Sequence, residues 1–129
     1  MGLNEQEIVQ RAQSLASSYP YVAALYLFGS RAAGRQRSGS DVDLAVVSSR
    51  PLSGWQRVEL ETSFSNTFKA DVDIVVFGQA PPLLQHQIMR TGRLIYEKDR
   101  PERIRQEVAA RYAYLDTRHL YKEYRVGDG

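Results

Sequence analysis

Asp41 and Asp43 stand one residue apart where the apolar run ending at Val47 begins. In a strand, residues i and i+2 share a face, so the two carboxylates project together while Val42 and Leu44 face the other way. Like charges so placed repel, and a divalent cation removes the conflict. Oxygen ligands of this kind suit Mg²⁺, which takes one or two carboxylates plus substrate phosphates. Upstream, Gly29-Ser30 closes an earlier apolar run. Gly29 lets a phosphate or a backbone approach closely, and Ser30, opening a helix, offers a hydroxyl and free N–H groups to an anion. Phosphate on one side and metal on the other is the layout of a nucleotide-handling site. A D-x-D pair alone is common on solvated strands, and Gly-Ser alone marks a loop. The combination G-S-x10-D-x-D, with a strand before and a strand after, is far more specific.

These residues need elements to position them. Val22 to Phe28 is apolar, aromatic and short, which predicts a buried strand delivering Gly29-Ser30 at its end. Arg31 to Gly34 has room for a turn or two of helix. Arg35 and Arg37 then read as solvated loop charges, and Arg31, adjoining the Gly-Ser pair, as either a phosphate contact or another such charge. Asp41 to Val47 is the second strand. A third, Ala70 to Phe77, alternates for two steps and then turns fully apolar, placing Asp71 and Asp73 on one face. A carboxylate from an adjacent strand can complete a metal cluster and take the proton from an attacking hydroxyl. Arg93 to Glu97 reads as a fourth, edge strand.

Helices fill the intervals. Asn4 with Glu7 caps a first helix to about Ser18, stopped by Tyr19-Pro20. Ser53 with Gln56 makes a capping box for a second, along which Leu60, Phe64 and Phe68 form a core row. Trp55 is assigned to packing rather than base stacking. Pro81-Pro82 and Gly92 bracket a short third helix, whose His86 has no second ligand at metal spacing and reads as a surface or half-buried residue. Pro101 opens a long helix with Ile104, Val108, Tyr112 and Leu115 on one face. Tyr114, Tyr121 and Tyr124 lie on another, as a core edge or a partner surface, and Val126 to Gly129 reads as a frayed tail.

With 129 residues, 43% of them hydrophobic, the chain has the length and the apolar content of one compact domain. A formal net charge of +2 gives no argument for direct nucleic-acid binding. The absence of cysteine excludes a disulfide framework and a thiolate metal site. No apolar run approaches a membrane span and the N-terminus carries no targeting pattern, so a cytoplasmic protein with no membrane partner is expected.

Gly29, Ser30, Arg31, Ala32, Gly34, Ser40, Asp41, Asp43 and Leu44, continued by Val72-Asp73-Ile74-Val75 and Ala80-Pro81-Pro82-Leu83-Leu84, resemble the nucleotidyltransferase superfamily. The resemblance is to the minimal nucleotidyltransferase (MNT) antitoxins that stand beside HEPN-domain toxins, and it covers roughly Leu25 to Asp99. It implies an α/β (α+β) polymerase-beta-like fold: a small mixed β-sheet with flanking helices in a single domain over 1–129, with a core at about 20–99 and a long C-terminal helix at about 101–124. It places Asp73 rather than Asp71 in the catalytic register. Asp41, Asp43 and Asp73 are then catalytic residues and Mg²⁺ ligands, and Gly29, Ser30 and Arg31 bind nucleotide. The implied reaction moves AMP from ATP to a tyrosine of a HEPN ribonuclease toxin, silencing it within a hetero-oligomer. The toxins' R-x4-H-x-Y motif is not complete here: His119-Leu120-Tyr121 supplies H-x-Y, but Tyr114 stands where arginine is needed. Two other functions fit the same residues, an antitoxin acting by contact alone and a transferase for a small hydroxylated molecule.

Overall fold

The computed structural model describes the backbone of residues 4–29 and 42–127, and the side chains of all of these except 119 and 121–127. Local chemistry starts the first two helices. The Asn4 side chain accepts from the Glu7 N–H while Glu7 reaches back to the Asn4 N–H, and α1 runs Glu5–Ala16. Ser53 and Gln56 exchange the same two bonds at the head of α2, Gly54–Phe68. Each cap contributes about 1 kcal/mol. Strands β1, Val22–Phe28, and β2, Val42–Ser48, lie between them. After α2 come β3, Val72–Val76, and a 3₁₀ turn, Phe77–Gln79. Next are α3, Pro82–Thr91, which starts on proline and stops at Gly92, and β4, Arg93–Glu97. The last element, α4, runs Arg100–Gly127, so Val126 and Gly127 are helical and not the expected frayed tail.

The strands form one sheet of order β3-β2-β1-β4. β1 is antiparallel to β2 and β4, and β2 is parallel to β3 through the α2 crossover. This is the expected mixed α/β sheet, with β4 at one edge. Side chains alternate between two cores. Leu25, Leu27, Leu44, Val46, Ile74 and Val76 join Ile8 and Ala12 of α1 and Leu60, Phe64 and Phe68 of α2 on one side. Ala24, Tyr26, Ala45 and Val47 join Phe77, Ile88 of α3 and Ala110 of α4 on the other.

Trp55 falls elsewhere than expected, and the apolar row of α4 faces outward. Trp55 is 83% exposed and packs no core, because it sits five residues before Leu60, off the row that α2 buries. On α4 the row Ile104, Val108, Tyr112 and Leu115 is exposed, and the helix turns Ala110, Ala113 and Tyr114 inward instead. The small side chains let the helix axis approach a sheet face that is itself lined with alanines.

Candidate active site

Three strand ends meet at one margin of the sheet. β1 finishes at Phe28 and passes into Gly29, while β2 and β3, being parallel, both begin there. Phe28 is the antiparallel partner of Asp43, and Asp43 is the parallel partner of Asp73. Paired residues on neighbouring strands are about 5 Å apart and share a face. Asp43 is half-buried and Asp73 exposed, so the pair stands at the rim between core and solvent. Asp71 is exposed just ahead of β3, and its carbonyl accepts the Val42 N–H at 3.1 Å, which zips the starts of the two strands together.

Gly29 is fitted to this corner in two ways. Its φ of 79° is a left-handed conformation that side chains disfavour, and a Cβ added there would lie 2.3 Å from Asp43 Oδ2. The Asp43 carboxylate therefore already occupies the space that a side chain at position 29 would need.

β3 is an edge strand, and its outward N–H groups are taken up by α2. The Val72 N–H donates to Ser65 Oγ at 3.0 Å and the Ile74 N–H to Glu61 Oε2 at 2.9 Å. Arg57 Nη1 holds the same Glu61 oxygen at 2.8 Å. These bonds flank Asp73 on both sides, fix the strand that carries it and close the edge against a further strand. Ser65 and Glu61 are not among the residues singled out by spacing or motif. Hydrophobic periodicity cannot show which polar side chains of a helix will reach an edge strand that folds back beside it.

Above Gly29, α3 and α4 enclose a cleft of about 460 Å³. His86 and Tyr114, both lining it, stack on each other with ring centroids 3.7 Å apart and planes within 2° of parallel. His86 is half-buried, one of the two placements expected, but an aromatic partner on a distant helix could not be read from local spacing. Of the residues singled out from the sequence, the structure gathers Gly29, Asp43 and Asp73 at one margin. Ser30, Arg31 and Asp41 lie outside the described residues, as does the turn expected after Ser30. The donor set at the margin consists of carboxylate oxygens, which suits a hard cation such as Mg²⁺.

A family model described as polymerase beta, nucleotidyltransferase matches residues 10–101. The protein adenylyltransferase MntA of Shewanella oneidensis is 32% identical over 94 residues, which span 73% of this chain and 66% of that relative, so the chain matches just under two thirds of its length. A crystal structure of a toxin–antitoxin with AMP-PNP superposes with a TM-score of 0.71 at 24% identity, covering 95% of this chain and 98% of that one. A tri-AMPylated Shewanella oneidensis HEPN toxin in complex with MNT antitoxin gives a TM-score of 0.69 at 19% identity, again over 95% and 98%. At these identities the two structures establish the shared fold.

Proposed function

The chain belongs to the polymerase beta nucleotidyltransferase family, and from that membership we propose that it is a Mg²⁺-dependent protein adenylyltransferase. On this reading it is the antitoxin of a pair, one nucleotidyltransferase domain that moves AMP from ATP to a tyrosine hydroxyl of a partner HEPN-domain ribonuclease and so inactivates it. The curated relative's name and the AMPylated toxin complex support that choice of acceptor and partner. The observation that carries the chemistry is the register of Asp43 beside Asp73 at the margin where the Asp43 carboxylate packs directly against the bare Gly29 backbone.

Asp41, Asp43 and Asp73 are the carboxylates that would hold Mg²⁺, which supplies charge neutralisation on the phosphate oxygens. Gly29, Ser30 and Arg31 hold the β- and γ-phosphates and so present the α-phosphorus in line. The tyrosine oxygen attacks that phosphorus as the bond to the oxygen bridging to the β-phosphate breaks. Pyrophosphate leaves with the bonding pair, and Asp73 takes the hydroxyl proton. The acceptor is a protein, so no direct contact with nucleic acid is needed. Among the described residues no helix is long and apolar enough to cross a membrane, and the reaction's demand for ATP agrees with a cytoplasmic setting.

Incubating the chain with a HEPN-domain ribonuclease, ATP and Mg²⁺, then measuring the intact mass of the ribonuclease, tests the proposal. The expected result is a gain of one or more AMP units, lost on adding a chelator, together with loss of ribonuclease activity. Ribonuclease silenced with no gain in mass would replace catalysis by contact inhibition, and AMP found only on small molecules would replace the acceptor.

A further inference from the structure

The cleft beside Gly29 has a place in this reaction. Its floor is apolar, with Phe28 and Leu84, and its rim carries Arg90 and Thr91. The stacked rings of His86 and Tyr114 give it a flat aromatic wall. A volume of about 460 Å³ falls within the usual range for small-molecule sites. An equally large cavity at the far ends of β2 and β3, beside Ser48 and Gln106, touches neither Gly29 nor an aspartate.

Sheet order says which reactant the cleft serves. Across the margin the sequence of positions is Asp73 on β3, Asp43 on β2, Gly29 at the end of β1, and then the cleft under α3 and α4. The attacking oxygen and the leaving pyrophosphate must lie on opposite sides of the α-phosphorus. With the triphosphate on the Gly29 flank, the open approach past the exposed Asp73 remains for the acceptor, and the cleft lies on the donor's side. We propose that this cleft binds the nucleoside of the donor triphosphate, with the His86–Tyr114 pair as the platform on which its base stacks. Aromatic faces suit any base, and Arg90 at the rim adds a cation beside a polyanionic ligand.

The inference rests on the nucleotidyltransferase reading, and a paired-ligand measurement separates the two. Calorimetric titration of the full chain in Mg²⁺ with ATP and with inorganic tripolyphosphate compares ligands that differ by the nucleoside. The wild-type chain should bind ATP the more tightly. Tyr114→Ala and His86→Ala should each weaken ATP by roughly five- to 150-fold, the span that base stacking gives on alanine substitution, while tripolyphosphate stays within about twofold of wild type on the same basis. Retained tripolyphosphate binding also reports that the variants are folded, and Tyr114→Phe, which keeps the ring, should keep ATP affinity. Wild-type affinity for ATP in both alanine variants would overturn the cleft assignment alone, and more so if transfer to the protein acceptor were lost, since the cleft would then belong to the acceptor. Equal loss of both ligands, with Tyr114→Phe also impaired, would overturn it by making the pair purely structural. A wild-type chain that binds neither ligand would sink the nucleotidyltransferase reading and this inference with it.

Discussion

The two faces of the sheet are built from different stock. Under α1 and α2 the strands present leucine, isoleucine and valine to Phe64 and Phe68, whose rings meet edge to face at 5.8 Å. Under α3 and α4 the same strands present Ala24, Ala45 and Val47 around a single large ring, Tyr26, and at the margin Asp43 and Asp73. Bulky side chains fill the first face. Small ones on the second let α3 and α4 sit close, yet leave clefts at its ends. The contrast places large apolar side chains on one side and the proposed chemical site on the other, so substitutions on the two sides should fail in different ways.

The largest effect expected on the chemical side is that of Asp43→Asn. Transfer should fall by at least about a thousandfold, since several kcal/mol of charge stabilisation are removed and each 1.4 kcal/mol is a factor of ten. The melting temperature should change far less than the rate, because Asp43 stands at the rim of the sheet and belongs to neither core. Rate and melting curves on the same preparation check this, and a parallel fall of both would erase the distinction between the faces. Phe64→Ala is the counterpart on the packed face. It should cost about 3–5 kcal/mol of stability, read by urea denaturation, with the transfer rate per folded molecule unchanged below the transition.

Smaller effects sharpen the boundary. On the proposed nucleotide-binding role of Ser30, Ser30→Ala removes one hydrogen bond to a charged phosphate, worth on the order of 1.5–3 kcal/mol, so transfer should drop by roughly one to two orders of magnitude with no change in melting. Glu61 belongs to the packed side but holds the strand of Asp73. Glu61→Ala frees the Ile74 N–H and should cost about 1 kcal/mol of stability, with a several-fold loss of transfer. Glu61→Gln keeps an accepting oxygen and should restore both; a transfer rate untouched by either variant would separate the edge bonds from the site.

The smallest effect concerns the joint between β4 and α4. A side-chain hydrogen bond from Arg103, helped by Arg100, holds the Glu97 carboxyl below the usual carboxylate range. A depressed folded-state value contributes stability above the unfolded pKa of about 4.3 and loses it as pH falls through the folded value. Wild-type melting temperature should therefore fall below about pH 4, and Glu97→Gln should flatten that acid limb while melting slightly lower at neutral pH.

Strand and helix identities were legible in the amino-acid sequence because caps and periodicity are local. Asn4 with Glu7 and Ser53 with Gln56 do in the structure what their spacing predicts. The apolar run before Gly29 is a strand for the same reason, and the Leu60, Phe64 and Phe68 row is core. Asp43 and Asp73 could be marked in advance as candidates, but period 2 alone left Asp71 equal to Asp73, and it is the sheet register that sets Asp73 beside Asp43. Tertiary structure also decided which side of α4 is buried. That helix carries both an apolar row and an alanine row, and it is Ala110 of the alanine row that joins Ala24, Ala45 and Val47 of the sheet, where a small side chain lets the helix approach closely, while Ile104 and Val108 face outward. The stacking of His86 on Tyr114 follows from the same choice. The two residues are far apart in the chain, and only the packing of α3 against α4 brings their rings into contact.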